Sequence, residues 1–167
     1  MKKLNMTTLI LIITATATAL IAGLFYGYTC SVNLGLGKLN DREYITAMNA
    51  INVAILNPLF FVSFMGTLVL LPVSTYLNYS AADNSRFILL LIATLLYAIG
   101  VFGVTMFGNV PLNDALAKVN VNTASAGDLA AHRLAFEGPW GLLHNVRTLA
   151  NVVSLVLVII SCCCERR

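Results

Sequence analysis

The chain has 167 residues, of which 59% are hydrophobic and only 10% are charged, with a formal net charge of +3. Soluble globular domains carry about 25% charged residues, so this composition indicates a membrane protein, and the length allows a single domain over residues 1–167. The positive charges form no basic stripe and the sequence has no zinc-type spacing, which argues against a nucleic-acid partner.

Four apolar runs are long enough to cross a bilayer, which requires about 20 residues in a helix. They cover residues 7–28, 53–77, 87–107 and 142–164. A signal peptide is the competing interpretation of the first run, because Lys2 and Lys3 precede it and small residues follow. The apolar stretch continues through Phe25, however, which favours an uncleaved span. Since the runs lack the alternation of a barrel strand, we expect an all-α fold, an integral membrane four-helix bundle.

Four spans place both chain termini on the same side of the membrane. The number of positive charges does not decide the orientation, since five lie on each side. The charges that directly flank spans are Lys2, Lys3, Arg166 and Arg167. They favour a multi-pass protein with both termini in the cytoplasm, in the plasma or inner membrane if the chain is bacterial.

The four cysteines divide between the two membrane surfaces. Cys30 ends the first span and the triplet Cys162–Cys164 ends the last one, so a disulfide between them within one chain is not expected. The triplet is either an acylation site, if it faces the cytoplasm, or small apolar filler at a helix end. The sequence leaves open whether the chain forms a homo-oligomer.

The first connection between spans shows a helix signal. Asn40 is followed three residues later by Glu43, which is typical of a capping box. We expect the helix that starts there to continue into the second span, with a kink at Pro58.

The third connection, residues 109–141, predicts two short helices at the membrane surface, within PLNDALAKV and SAGDLAAHRLAFEG. Ser125 with Asp128 three residues later indicates an N-terminal cap. Gly138-Pro139 is typical of a helix stop.

Polar residues cluster where the spans meet this same surface. The first cluster is Asn49, Asn52 and Asn57. Asn49 and Asn52 are three residues apart and share a helix face. They either satisfy neighbouring helices by hydrogen bonding, a common use of asparagine in membrane bundles, or face a ligand.

The second cluster is the sequence GNVPLND at the end of the third span. Its Gly-Asn followed by Pro111 predicts the end of one helix and the start of another, with Asn113 or Asp114 as the cap. The side-chain amides of Asn109 and Asn113 alternatively point into one space, where a ligand would meet them.

The third cluster opens the last span. Trp140, His144, Arg147 and Asn151 follow at intervals of four, three and four, so they line one helix face. Trp140 as an interface anchor, a snorkelling Arg147 and a satisfied interfacial His144 would together explain the cluster without a function. Ionisable groups within a membrane usually face the bundle interior and mark a site, and we favour that interpretation.

Other polar and aromatic residues are weaker candidates. We expect His132 to be solvated, and Tyr26 and Tyr28 to be aromatic residues of the membrane interface. The only two histidines, His132 and His144, are twelve residues apart with no cysteine near either, so we expect no metal site.

Three motifs together resemble the anthrone-oxygenase-like family of small membrane proteins. They are AMNAINVAILNPLFFVSFMG (47–66), GVFGVTMFGNVPLNDAL (100–116) and FEGPWGLLHNVRT (136–148), and the similarity extends from about Ala22 to Val158. The resemblance implies a four-helix membrane fold and, from the fungal members, oxidation of anthrones to anthraquinones without a metal or flavin cofactor. It places the recurrent family positions at Asn52, Asn57, Pro58, Asn109, Pro111, Asn113, Trp140, His144, Arg147 and Thr148. The leucines of GLLHNVRT depart from the more polar or aromatic run of many relatives.

The resemblance implies base-assisted oxidation of an apolar aromatic substrate by O₂. His144 would remove the acidic methylene proton of an anthrone, and Arg147 with the amides of Asn109 and Asn113 would stabilise the resulting oxyanion. The other substrate-binding candidates are Asn52, Asn57, Trp140 and Asn151.

Two alternatives remain at the level of sequence. One is a non-enzymatic membrane protein that binds a lipid, a quinone, another apolar small molecule or a partner subunit. The other, a small exporter, is disfavoured because no acidic residue lies within a span to couple protons.

Overall fold

The computed structural model describes residues 5–80 and 84–164. These residues form five helices and no strand: α1 (Met6–Leu36), α2 (Asp41–Ala54), α3 (Pro58–Leu77), α4 (Ser85–Ala117) and α5 (Ala126–Cys163). Four of them, α1, α3, α4 and α5, are long and apolar enough to cross a membrane. The expectation of an all-α fold is confirmed, and these four helices have the length and composition expected of a membrane protein.

The four long helices pack side by side, with α1 against α3 and α5, and α4 against the same two helices. Their contacts are apolar with hydroxyl groups between them. Thr14 and Ser74 bridge α1 and α3 at 2.6 Å, and Thr75 and Thr94 bridge α3 and α4 at 2.9 Å. Since the outer surface of these helices is apolar, short polar side chains that satisfy each other or the backbone belong inside.

The short helix α2 covers the end of the long helices that lies opposite the start of α1. Its Tyr44 and Met48 pack into an apolar cluster with Phe136 and Trp140 of α5. Arg133 fastens the chain beside this cluster through ion pairs with two carboxylates and a hydrogen bond to the carbonyl of Leu39. The end of the molecule around α2 is therefore held by both packing and charge.

Both predicted capping boxes are confirmed. The side chain of Asn40 accepts from the backbone of Glu43, and that of Ser125 accepts from the backbone of Asp128. The short side chains at both positions satisfy backbone N–H groups that the first helical turn leaves free.

The expected continuous helix through Pro58 is wrong. Helix α2 ends at Ala54, and α3 begins anew at Pro58, with the side chain of Asn57 accepting from the backbone of Phe60 at 3.1 Å. A proline disfavours helical backbone in the residue before it, and Asn57 is extended and able to cap. The break therefore falls here, and the second span begins at residue 58 rather than 53.

The two breaks expected in the third connection are also wrong. The chain stays helical through Pro111 to the end of α4, and α5 runs unbroken through Pro139. Wide π-helical turns at Leu96–Gly103 and Thr105–Asn109 precede Pro111; such turns relieve the crowding that a proline ring causes. The predicted surface helices are thus the ends of α4 and α5, joined by residues 118–125.

Pro139 lies between two buried aromatic residues of α5. Phe136 contacts the ring of Tyr44 on α2, and Trp140 contacts the ring of Tyr28 on α1. Packing on both sides of the proline holds the two parts of α5 in one helix. The four cysteines are all free thiols.

Candidate functional site

The predicted polar face of α5 points into the protein. Trp140, His144, Arg147 and Asn151 are all buried, and His144 and Asn151 have no exposed surface. The interval pattern therefore identified one buried face of the helix. Ser154 continues it and donates to the carbonyl of Ala93 on α4 at 3.0 Å.

The hydrogen bonds of His144 define its tautomer. Nδ1 lies 3.2 Å from Nε and 3.0 Å from an Nη of Arg147. A guanidinium only donates, so Nδ1 is the acceptor and the proton of the neutral ring is on Nε2. The unprotonated nitrogen of the only buried histidine in the described ranges thus already accepts from a cation.

The protonated nitrogen of His144 faces two hydroxyl groups. Nε2 is 2.9 Å from Oγ1 of Thr29 on α1 and 3.5 Å from Oγ1 of Thr148. Thr29 donates to the carbonyl of Phe25, and Thr148 donates to the carbonyl of His144 itself. The oxygen of Thr29 is therefore available to accept from Nε2–H, which fixes the ring orientation.

Arg147 is a buried cation without an acidic partner. It donates to Oγ1 of Thr105 at 3.3 Å and to His144, and its guanidinium lies over the rings of Phe25 and Trp140, at 4.5 and 5.2 Å from their centroids. In the described part of the chain, both ion pairs belong to Arg133. Aromatic faces attract a cation but do not neutralise it, so the site has an excess of positive charge.

Trp140 connects the basic pair, His144 and Arg147, to helix α4. Its indole stacks on the ring of His144, with centroids 5.0 Å apart and an interplanar angle of 7°. The indole Nε1 donates to Oδ1 of Asn113 at 2.8 Å, and Nδ2 of Asn109 donates to the backbone carbonyl of Trp140 at 3.2 Å. Asn113, expected as a possible helix cap, instead holds the tryptophan in place.

A cavity of about 1010 Å³ adjoins these residues. Most of its surface is apolar, from side chains such as Phe60, Phe64 and Phe102. The predicted site residues that line it are Asn52, Asn57, Asn109, Asn113, Trp140, His144 and Arg147. Asn151 does not line it: this residue lies one helical turn beyond Arg147, and neither atom of its amide has a partner in the described structure.

Three further buried amide atoms beside the cavity have no partner among the described residues. They are Oδ1 of Asn49, Nδ2 of Asn52 and Oδ1 of Asn109. A buried polar atom without a hydrogen bond costs free energy, and a ligand with both donor and acceptor groups would relieve that cost. The described residues contain no group of three side chains able to hold a metal ion.

Three contributors to this site were not expected from the sequence. Thr29, Thr105 and Phe25 contact the basic pair from α1 and α4. Tyr28, expected at the membrane interface, is instead in ring contact with Trp140 and His144. A signal existed only for the threonines, since polar residues within apolar spans usually face the interior. His132 is exposed, as expected.

The comparison with protein families supports the predicted resemblance. A family model described as anthrone oxygenase matches residues 60–157, which is more than half of the chain. The chain belongs to the anthrone oxygenase family. The match includes α4 and the buried face of α5, whereas Asn52, Asn57 and Thr29 precede it. No curated protein and no solved structure matches the chain.

Proposed function

We propose that this member of the anthrone oxygenase family is a membrane-embedded oxygenase that oxidises an apolar aromatic substrate with O₂ and uses no metal or organic cofactor. The observation that supports this is the buried pair of His144 and Arg147 on the surface of a large apolar cavity. Its volume, about 1010 Å³, is at the upper end of the about 300–1,000 Å³ typical of small-molecule sites, so a ring system of several fused rings fits.

The first step needs a base, and the proposed base is Nδ1 of His144. In the structure the lone pair of this nitrogen accepts hydrogen bonds from Arg147. A substrate carbonyl beside the guanidinium would draw it away from Nδ1, because an oxygen that gains negative charge is a better acceptor than a neutral imidazole. Nδ1 then takes one proton from the methylene group of the substrate, while Nε2–H stays bonded to Thr29. Arg147 stabilises the enolate oxygen that forms.

The remaining steps balance with O₂ as the oxidant. The carbanion of the enolate forms a C–O bond with O₂, and the peroxide takes back the proton from His144. The histidine then removes the second methylene proton as the O–O bond breaks, and the departing hydroxide takes that proton from His144 and leaves as water. The net change converts CH₂ and O₂ into C=O and H₂O, which is the oxidation of an anthrone to an anthraquinone.

Turnover of anthrone by the protein in lipid nanodiscs tests this function. We expect O₂ consumption and anthraquinone formation above the protein-free rate, and a loss of about 10²–10⁴-fold in His144→Ala, the range typical of a general base. His132→Ala, at the exposed histidine of the same helix, is the matched control and should keep full activity. Unchanged turnover in both His144→Ala and Arg147→Ala would exclude the mechanism.

A non-enzymatic binding protein for a quinone-like lipid is the second candidate. It is favoured by the hydrogen bonds within the site, since both nitrogens of His144 and the donors of Asn109 and Trp140 already have protein partners. Stable binding of anthrone and anthraquinone with no turnover by the wild-type protein would support it over the oxygenase.

The proposed setting is a multi-pass protein with both termini in the cytoplasm and the cavity near the opposite surface. Cys30 is exposed close to the cavity end, and Cys162 and Cys163 are exposed at the other end. A membrane-impermeant maleimide added to intact cells should therefore label Cys30; labelling of the C-terminal cysteines alone would reverse the orientation.

A further inference from the structure

Helices α3 and α4 separate on the side of the cavity. They pack closely where α4 starts, along Ser85–Leu95, approach each other in few places along Leu96–Gly103, and have no substantial contact beyond it. By contrast, α4 packs against α5 along its whole length, and α1 packs closely against α3. The gap between α3 and α4 is therefore a local feature and not a general looseness of the structure.

The gap is closed at both of its ends along α4. At the end nearer the start of α4, the hydroxyl of Tyr97 donates to the carbonyl of Phe64 on α3 at 2.8 Å, and Phe64 contacts the ring of Phe102. At the other end, α2 packs against the last turns of α4, where Nδ2 of Asn49 donates to the carbonyl of Leu116 at 3.4 Å. What remains is a window in the side of the protein.

Six large apolar side chains of the described residues line the cavity and are also exposed: Leu24 of α1, Val53 and Leu56 before α3, and three on the two helices that border this window. Phe61 and Met65 of α3 and Met106 of α4 all line the cavity, and they are 44%, 40% and 42% exposed. A residue that lines a cavity and is also exposed on the outer surface marks an opening. Methionine is flexible and changes shape readily, so two of the three residues can move aside.

The surface around the window is suited to lipid and not to water. Val62 and Phe107 flank it and are 73% and 86% exposed. Neither 58–77 nor 87–113 contains a charged residue. In a membrane this surface would lie against hydrocarbon, because it is largely apolar and neither segment contains a charged group.

We propose that the cavity is loaded sideways from the membrane, through the window between α3 and α4, by apolar aromatic molecules dissolved in the bilayer. Phe61, Met65 and Met106 form the gate that limits which molecules enter. This inference rests on the proposed function only for the identity of the substrate, since entry of an unreactive aromatic molecule requires no chemistry.

Trp140 provides the test, because it is the only tryptophan of the chain, lines the cavity and is 4% exposed. Bromonaphthalene, an apolar heavy-atom quencher that partitions into lipid, should quench its fluorescence in nanodiscs, whereas aqueous iodide should not. Quenching by iodide but not by bromonaphthalene would overturn the proposal, because the cavity would then open to water.

Gate variants then separate the window from other routes. Met65→Phe/Met106→Phe should slow both the onset of quenching and its reversal by about tenfold, because a gate changes both rates and leaves the affinity nearly unchanged. Met65→Ala/Met106→Ala should accelerate both. The matched control, Val69→Phe/Ile99→Phe, adds the same side chains at exposed positions of α3 and α4 away from the cavity, and should leave both rates unchanged.

Two results would refute the gate. One is unchanged rates in both the Phe and the Ala double variants; the other is equal slowing in the Val69→Phe/Ile99→Phe control. Failure of the proposed oxygenase would look different: bromonaphthalene would still reach Trp140 with these gate effects, but anthrone would not be oxidised.

Discussion

Arg147 and Arg133 lie on the same helix and should respond in opposite ways to the same substitution. Arg133 binds Asp41 and Glu137 and also donates to two backbone carbonyls. Arg147 is buried with one hydroxyl, one imidazole and two aromatic rings around it. We predict that Arg147→Met changes stability little and strongly lowers turnover, whereas Arg133→Met lowers stability and leaves the chemistry intact.

The contacts of Arg147 set the magnitude. Losing the bond to Thr105 costs about 1 kcal/mol, and leaving Nδ1 of His144 without a donor costs about 1–3 kcal/mol. The two ring contacts add about 0.5–1 kcal/mol each. Against these losses, removing a buried charge that has no acidic partner relieves a desolvation penalty of several kcal/mol, and methionine keeps the contact with the rings. The stability of Arg147→Met should therefore lie within about 2 kcal/mol of wild type.

Arg133→Met has no such compensation. It removes two hydrogen bonds from a charged donor to carbonyls and two ion pairs, and it leaves Glu137 and Asp41 without their cation. The side chain of Arg133 is 15% exposed, so we expect a loss of about 3 kcal/mol and not the larger cost of a fully buried pair.

Thermal unfolding in detergent, followed by far-ultraviolet circular dichroism, measures both effects. At about 2–4 °C per kcal/mol for a chain of this size, Arg133→Met should lower the midpoint by about 10 °C and Arg147→Met should change it by less than about 5 °C. Turnover should fall by about 10²–10³-fold in Arg147→Met alone, as when an oxyanion donor is removed. A midpoint for Arg147→Met as low as that of Arg133→Met would show that Arg147 is structural and refute the reasoning.

Three further predictions follow from single contacts. Thr29→Val removes the acceptor of Nε2–H of His144 and should reduce turnover by about 10–100-fold, with recovery in Thr29→Ser, as steady-state kinetics would show; equal loss in both variants would contradict the positioning role. Burial raises the pKa of Tyr44 above its ordinary value of 10.0. As the pH rises, Tyr44 therefore loses its proton in the unfolded chain before it does so in the folded protein, and stability should fall above about pH 10. Tyr44→Phe should reduce this alkaline loss of stability in a pH series of unfolding midpoints. A Cβ at Gly100 would lie 2.7 Å from that of Ala150, so Gly100→Ala should push α4 from α5 and lower the unfolding midpoint, and a wild-type midpoint would show that the helices adjust without cost.

Sequence reasoning was most successful where the physical cause is local. A capping box needs only two side chains three residues apart, so Asn40 and Ser125 identified two helix starts correctly. The buried face of α5 follows from helical periodicity alone, which placed His144 and Arg147 together. The family resemblance, confirmed over 60–157, also rested on short segments, the three motifs within 47–66, 100–116 and 136–148.

Prolines show where local reasoning ends. Pro58, Pro111 and Pro139 were all expected to bend or end a helix, but a break occurs only at Pro58. Only there does the preceding residue, Asn57, adopt an extended conformation and cap the next helix. At Pro111 wide turns precede the proline, and at Pro139 aromatic packing holds the helix together. Those tertiary contacts have no signature in a short stretch of sequence.

The residues that contact His144 and Arg147 could not be predicted either, because they lie on other helices. They coincide with the π-helical turns of α1 and α4. Thr29 lies in a π-helical turn of α1, Tyr28–Val32, and Thr105 and Asn109 lie in a π-helical turn of α4. Wide turns weaken backbone hydrogen bonding and are frequent at functional sites. Both helices therefore have irregular backbone at positions whose side chains contact His144, Arg147 or Trp140. The irregular turns on two helices therefore surround one cation without an acidic partner, and this is the position at which the proposed mechanism needs an oxyanion site.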